Sequence, residues 1–123
     1  MKLINDFFEI VAKEPGDGEL KCKVKFNPEH FIYQAHFPGN PVTPGVCLVQ
    51  IATEILGQAF CRTLELCLLK NIKFKKIVKP NDKPDFVFTK VKVNEYNQLS
   101  ANISIEDEQS QYVKMSLLCN ISD

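Results

Sequence analysis

The most informative stretch of this sequence is AHFPGNPVTPGVCLVQIATEILGQAFCR, residues Ala35 to Arg62. Three prolines and two glycines fall from His36 through Gly45, and this composition predicts a rigid, shaped loop. Thr43 is expected to cap the helix that follows, with Pro44 in its first turn and Gly45 leaving the next amide uncovered. The sequence therefore predicts a histidine-bearing loop directly before a helix start.

The helix after this loop is apolar around nearly its whole circumference. Its apolar residues are Val46, Leu48, Val49, Ile51, Ala52, Ile55, Leu56, Ala59 and Phe60. A helix with this pattern is normally buried. Polar residues nevertheless recur every four positions, at Gln50, Glu54, Gln58 and Arg62, with Thr53 beside them. This polar line is either the narrow solvent-facing edge of a core helix or the lining of a cavity.

Composition limits the class of protein. The chain has 123 residues, 45% of them hydrophobic, and a formal net charge of zero. That length predicts one domain over residues 1–123, and the charge balance gives no reason to expect nucleic acid or an anionic membrane as a partner. No apolar run approaches the roughly 20 residues of a membrane span, and the N-terminus lacks a leader pattern, so a cytoplasmic location is expected.

The five cysteines suggest neither a disulfide framework nor a metal site. They are odd in number, include no C-x-x-C pair and fall mostly on apolar positions, which predicts buried free thiols. Cys47 lies beside the loop but has no neighbouring base, which disfavours a nucleophilic role. Neither His30 nor His36 has a cysteine at ligand spacing, so no metal site is expected.

The rest of the chain predicts an antiparallel sheet. Alternating or apolar segments bounded by turn residues predict strands over Asp6 to Glu14, Glu19 to Phe26, Asn71 to Val78, Asp85 to Val93, Leu99 to Glu106 and Gln111 to Asn120. The segment Leu64 to Lys70 is ambiguous. Strands on both sides of one long helix, without helix alternation, predict an α+β fold with one sheet wrapped against a central helix. Such a sheet leaves edges that a second copy would cover, so a homodimer or a higher homo-oligomer is expected.

The central motif HFPGNPVTPGV resembles the H-F-P-x-x-P-x-x-P-G-V motif of the hotdog-fold 3-hydroxyacyl-acyl-carrier-protein dehydratases, of the FabZ and FabA type. A second segment, FKKIVKPND from Phe74 to Asp82, is similar to the family's F-x-x-P-V-x-P-G-D strand and turn. The resemblance implies a dimer of hotdog protomers with an acyl-phosphopantetheine tunnel at their interface. It also implies an acyl carrier protein as the partner, and no cofactor or metal.

The resemblance assigns roles to residues of the motif. The family's general base is the motif histidine, which is His36 here. The backbone amides at the helix start, here Gly45 and Val46, would polarise the thioester carbonyl, in agreement with the positive end of the helix dipole. Phe37 and Pro38 of the same motif would contact the substrate.

The chain departs from the family at the acid. The family has Glu or Asp fourteen residues after the histidine, and Gln50 stands there in this sequence. An amide can orient a hydroxyl but has no proton to give near neutral pH. Glu54, one turn further along the polar line, is the nearest substitute and would need a bridging water or a displaced substrate. The predicted catalytic residues are therefore His36, Gln50 and Glu54.

Three functions remain open at this point. The first is dehydration of acyl-carrier-bound 3-hydroxyacyl thioesters in fatty acid or related polyketide or lipid biosynthesis, which retention of His36 and its loop favours. The second is an impaired acyl-carrier-binding subunit that pairs with an active homologue, which loss of the acid favours. The third is thioester hydrolysis, for which Glu54 is the available base.

Two further features bear on the region of the loop. His30 is expected to have a structural role at the loop entrance. Five lysines either receive the acidic surface of an acyl carrier protein or form a solvated strand face. These are Lys70, Lys73, Lys75, Lys76 and Lys79.

Overall fold

A computed structural model describes residues 2–122 of the chain. Its elements in order are β1 (Phe8–Gly16), β2 (Glu19–Phe26), α1 (Phe31–Ala35), α2 (Gly45–Phe60), β3 (Thr63–Phe74), β4 (Asp85–Val93), β5 (Gln98–Glu106) and β6 (Gln111–Ser122). All strand pairs are antiparallel and form one sheet in the order β1-β2-β4-β5-β6-β3. The predicted α+β class, with one sheet and one long helix, is confirmed.

The connection through α2 sets the topology of the sheet. β2 precedes the helices and pairs with β1 and β4, whereas β3 follows α2 and pairs with β6 at the opposite edge. The strands on either side of the helix are therefore far apart in the sheet, and β1 and β3 form its two edges. The core joins the helix to the sheet, with Ile51 and Ile55 of α2 in the same buried cluster as Phe86, Phe88 and Ile103.

The start of α2 differs from the sequence prediction. The helix begins at Gly45 as expected, but its N-cap is Pro44, and no side chain caps it. The prediction that Thr43 is the cap is wrong. Its buried hydroxyl lies 2.8 Å from the hydroxyl of Tyr33 instead. A buried phenol hydroxyl without a hydrogen-bond partner would cost more folding free energy than a helix start without a side-chain cap next to an open cavity.

The prediction that α2 is buried all round holds only for its middle. The residues from Cys47 to Leu56 that point into the core are buried, but Val46 is 76% exposed and Phe60 is 42% exposed. Apolar side chains at both ends of the helix thus reach the surface of the protomer, which is unusual unless something covers them.

The strand after the helix is displaced relative to the prediction. The ambiguous segment is part of β3, which runs from Thr63 to Phe74, and the predicted end at residues 75–78 is not strand. The N–H groups of Lys75 and Lys76 both donate to the carbonyl of Tyr112, at 2.8 and 3.2 Å, so the regular ladder ends there.

Three smaller differences complete the fold. The first strand begins at Phe8, two residues later than predicted, and the last ends at Ser122. The segment before His36 forms the short helix α1, whose single turn leaves no periodic signal in the sequence. All five cysteines are free, but Cys61 and Cys67 are exposed, so the prediction of burial holds only for Cys22, Cys47 and Cys119. Within residues 2–122, no helix is long and apolar enough to cross a membrane.

Candidate active site

His36 is held by its backbone and leaves its side chain accessible. It is the C-cap of α1, where its N–H donates to the carbonyl of Ile32 at 3.0 Å, and its own carbonyl accepts from the N–H of Val42 at 2.7 Å. The exposed imidazole lies edge-on to the ring of Phe37, with 5.5 Å between the ring centroids. No group of the described chain forms a hydrogen bond with this imidazole, so both nitrogens are available to a substrate.

His30 fixes the start of α1. Its Nδ1 accepts from the N–H of Ile32 at 3.2 Å, and its Nε2 lies 3.2 Å from a carboxylate oxygen of Asp6. Because Nδ1 is an acceptor here, the geometry assigns the ring proton to Nε2, which donates to Asp6. These contacts give His30 the structural role predicted at the loop entrance.

The start of α2 is open and lies next to an aromatic ring. The N–H groups of Gly45 and Val46 lie in the first turn, where no helical carbonyl can accept from them. A Cβ on Gly45 would lie 2.8 Å from Cζ of Phe74, so the ring can lie this close to the helix start only because residue 45 has no side chain. A cavity at this position is lined by residues that include Thr43, Gly45, Leu48, Phe74, Ile77 and Val78.

The predicted substrate-contacting residues do not share one cavity within the protomer. Phe37 and Pro38 line a separate depression together with Tyr33, and Gly45 is not part of its lining. Val46 and His36 line neither of these two cavities. One protomer therefore presents the pieces of the predicted site on neighbouring surfaces.

Gln50 and Glu54 are bound to each other and to the start of the chain. Nε2 of Gln50 donates to Oε2 of Glu54 at 2.8 Å. The N–H of Leu3 donates to both oxygens of Glu54, at 2.9 and 2.8 Å, and the N–H of Ile4 donates to Oε1 at 2.8 Å. Each oxygen of the carboxylate thus already accepts two hydrogen bonds, and a proton on either oxygen would face an N–H donor.

This arrangement differs from both sequence interpretations of the polar line. Gln50 and Glu54, in the middle of the line, are half-buried and line neither of the two cavities beside the loop; Glu54 instead anchors the segment that precedes β1. Only its end, at Gln58 and Arg62, is exposed. This anchor could not be predicted from sequence, since Leu3 and Glu54 lie 51 residues apart and the donors are backbone groups.

Two titratable groups near the loop are neutral. Burial raises the pKa of the Cys47 thiol, which keeps it protonated and speaks against a nucleophilic role. Burial also raises the pKa of Tyr33 to about 12, so its hydroxyl stays protonated and can hydrogen-bond Thr43 at any physiological pH. Among residues 2–122, no group of three or more potential ligands could hold a metal ion.

The predicted lysine cluster borders the cavity at Gly45. Lys75 and Lys76 line it. The ammonium group of Lys75 donates a hydrogen bond to Gln111 at 2.6 Å, and that of Lys76 donates one to Ser110 at 3.2 Å. The other three lysines of the cluster, Lys70, Lys73 and Lys79, are exposed. Two positive charges therefore lie at the cavity, directly after the end of β3.

Curated relatives match part of the chain. It is 35% identical over 81 residues to the 3-hydroxyacyl-[acyl-carrier-protein] dehydratase FabZ of Latilactobacillus sakei, covering 59% of this chain and 56% of that protein. It is 40% identical over 75 residues to the FabZ of Lactiplantibacillus plantarum, covering 55% of this chain and 50% of that protein. The chain thus spans about half the length of the curated relatives it matches.

Solved structures share the fold over nearly the whole chain. The dehydratase heterocomplex ApeI:P from Xenorhabdus doucetiae matches with a TM-score of 0.70 and 16% identity, covering 90% of this chain and 96% of that one. A hypothetical thioesterase with coenzyme A from Streptococcus pneumoniae matches with a TM-score of 0.65 and 14% identity, covering 97% and 91%. These likenesses confirm the predicted hotdog fold.

The family is shown by the sequence itself. Residues 12–115 match the family model described as "ApeI-like: ApeI dehydratase". That range runs from β1 into β6 and includes the loop of His36, the whole of α2 and the segment after β3. The predicted resemblance to hotdog dehydratases is confirmed, and the chain belongs to the ApeI-like dehydratase family.

Proposed function

We propose that the protein is a 3-hydroxyacyl-thioester dehydratase in which His36 is the base and Gln50 orients the departing hydroxyl. The observation that carries this proposal is the exposed imidazole of His36, which lacks a hydrogen-bond partner within residues 2–122 and stands on a rigid loop leading to an uncapped helix start. The substrate is a 3-hydroxyacyl chain on acyl carrier protein, in fatty acid or related polyketide or lipid biosynthesis. A cytoplasmic location stays a prediction.

The protons of the reaction balance without a carboxylic acid at position 50. His36 removes a proton from the α-carbon, and the amides of Gly45 and Val46 stabilise the negative charge that develops on the thioester oxygen. The β-carbon then loses its hydroxyl as the double bond forms. The proton taken by His36 returns to this hydroxyl, directly or through water, so that one molecule of water leaves. Gln50 contributes a hydrogen bond but no proton.

The complete site is proposed to need a second hotdog protomer. The edge strand β3 exposes Leu66, Leu68 and Phe74, and Val46 of α2 is also exposed. An apolar surface of this kind, beside an unpaired strand edge, indicates a protein interface. A partner placed there would bring groups of its own to the cavity at Gly45, as the acyl tunnel of the family requires.

The proposed macromolecular partner is an acyl carrier protein. The lysines around the cavity would attract its acidic surface and direct the phosphopantetheine arm toward Gly45. Binding that weakens with added salt would support the assignment.

A specific observation also favours the second candidate, an impaired subunit that pairs with an active homologue. The family's acid position holds Gln50, and the carboxylate that its amide contacts, Glu54, accepts from three N–H groups. The same occupancy counts against Glu54 as a substitute acid, and against thioester hydrolysis with Glu54 as the base. Both of those roles remain predictions with weaker support than His36.

Exchanging the two helix residues separates the first two candidates. Gln50→Glu alone would place two carboxylates in contact, because Nε2 of Gln50 and Oε2 of Glu54 are 2.8 Å apart. Two like charges at this distance would repel each other. The double variant Gln50→Glu/Glu54→Gln keeps one acid and one amide in contact and restores the acid position. Dehydration of a 3-hydroxyacyl-carrier-protein should be measurable in the wild type and faster in the double variant, by roughly 10²- to 10⁴-fold, the range of a positioned acid.

The outcomes of this exchange differ between the candidates. An inert wild type with an active double variant would identify an impaired subunit and overturn the proposal of an active enzyme. A folded double variant no faster than the wild type would show that position 50 does not limit the reaction. Glu54→Gln alone is the matched control, since it changes the anchor of the N-terminal segment without supplying an acid.

A further inference from the structure

The loop between His36 and α2 is attached to the protein at one buried residue. From His36 through Pro44, every residue is exposed or half-buried except Thr43, which is 6% exposed. The N–H of Thr43 donates to the carbonyl of Val78 at 2.8 Å, and its hydroxyl meets the hydroxyl of Tyr33 at 2.8 Å. The position of the loop therefore depends on the contacts of this residue.

The hydroxyl pair joins the two elements that carry the proposed chemistry. Tyr33 is on α1, three residues before His36, and Thr43 is two residues before Gly45. Both side chains are buried, with Tyr33 2% exposed, so water does not compete for either hydroxyl. The bond ties the helix that ends at His36 to the backbone that begins α2.

The same bond removes a cap from α2. Threonine is among the preferred residues for capping a helix, but the hydroxyl of Thr43 is engaged with Tyr33 and the N-cap is Pro44. The first amides of α2 are consequently left without a side-chain acceptor. An acceptor supplied by a substrate can bind there, which a threonine or serine cap would hinder.

We propose that Tyr33 and Thr43 are positioning residues that hold the His36 imidazole at a set distance from the Gly45 amide. This inference rests on the proposed function, in which these two groups act on adjacent carbons of one substrate. Since such geometry must be held closely, a displacement of about 1 Å can cost up to roughly 10²-fold in rate. Neither hydroxyl touches the substrate, and neither exchanges a proton with it.

The test removes each hydroxyl and compares kinetics on 3-hydroxyacyl-carrier-protein. Tyr33→Phe and Thr43→Val should each lower kcat by about 10-fold or more and change KM by no more than about twofold, because alignment rather than binding is lost. Thr43→Ser keeps the hydroxyl and should retain most of the wild-type kcat. The double variant should be no worse than either single one, since both hydroxyls serve one bond.

A matched control separates positioning from stability. Tyr112 is also buried, and its hydroxyl donates to Asp107 at 2.6 Å, in the turn between β5 and β6. Tyr112→Phe removes the same atom and should lower the melting temperature by a similar amount while leaving kcat unchanged. An unchanged kcat in Tyr33→Phe, or an equal loss in both phenylalanine variants, would overturn the positioning role.

A second readout does not depend on turnover. In NMR spectra, the ring signals of His36 and the amide signals of Gly45 and Val46 should shift in Tyr33→Phe and stay in place in Tyr112→Phe. If the wild type shows no turnover, the proposed function fails, and these spectra alone decide the positioning role. Signals of His36 and Gly45 that are identical in wild type and Tyr33→Phe would overturn it.

Discussion

At the scale of single residues, the exchange of acid and amide along α2 has a structural consequence. The amide of Gln50 and the carboxylate of Glu54 make a neutral-to-charged hydrogen bond, and the remaining acceptor positions of Glu54 take the N–H groups of Leu3 and Ile4. Hydrogen bonds to an ionised group are stronger than those between neutral groups. The carboxylate of the polar line thus stands at Glu54, one turn after Gln50, where it anchors the chain before β1.

Removing this carboxylate should loosen the N-terminal segment. Glu54→Ala is expected to lower the free energy of unfolding by about 1–3 kcal/mol, because it leaves two backbone N–H groups without acceptors in a partly buried place. Hydrogen exchange should show faster exchange of the Leu3 and Ile4 amides. Gln58→Ala, one turn along on the exposed end of the same line, is the control and should change neither quantity.

The residues that could be predicted from sequence are those whose signal is local. His36 and Gly45 belong to one contiguous motif, and the change at Gln50 is visible from its spacing to His36. The hydroxyl pair of Tyr33 and Thr43 was missed because local preference favours Thr43 as a cap, whereas burial of a phenol on another element decides its partner.

At the scale of elements, the two ends of α2 are built differently. The N-terminal end is open and borders a cavity, whereas the C-terminal end turns back sharply. Cys61 is left-handed there with φ of 53°, and the N–H of Arg62 donates to the carbonyl of Gly57 at 3.0 Å. This return is the usual way to end a helix with its last carbonyls satisfied.

Gly57→Ala should destabilise the protein, contrary to the usual effect of alanine in a helix. Alanine normally gains up to about 1 kcal/mol over glycine in a helix interior. Here a Cβ would lie 2.9 Å from the carbonyl oxygen of Arg62, and a backbone atom cannot move aside easily. We expect a net loss of about 1–3 kcal/mol in denaturant unfolding. Gly45→Ala should cost less, because the ring of Phe74 that it meets is 58% exposed and can rotate.

Element boundaries could be predicted where local turn residues set them, but not where a contact with another strand does. Strands β4 and β5 follow from alternation and turn residues, and their predicted bounds are confirmed to within one residue. The end of β3 could not be predicted, because Ile77 and Val78 continue the apolar pattern while the carbonyl of Tyr112, on another strand, ends the ladder.

At the scale of the whole molecule, the unpaired edge of β3 is the feature that one chain leaves incomplete. Leu68 is 46% exposed on this strand, and Phe74 and Ile77 are exposed beside it. Edge strands of stable monomers are normally short or protected by charge, whereas β3 has 12 residues. The lysines of β3 supply protective charge, but its exposed leucines offer an apolar surface that a partner could cover.

Sedimentation should therefore show a dimer or a larger assembly at micromolar concentration. Leu68→Lys should weaken the assembly, because a charge would be buried at the interface, while the protomer keeps its fold. Val93→Lys is the control, since Val93 is similarly exposed, at 52%, on β4 away from this edge. A wild-type chain that sediments as a stable monomer would exclude a site shared between two copies.

Deuterium exchange shows whether His36 removes the α-proton of an acyl thioester. A 3-hydroxyacyl-carrier-protein is incubated with the protein in heavy water, and mass spectrometry measures deuterium at the α-carbon, a step that needs no acid at position 50. We expect deuterium incorporation by the wild type and its loss in folded His36→Ala. Equal incorporation by both proteins, or none by the wild type, would mean that His36 is not the base.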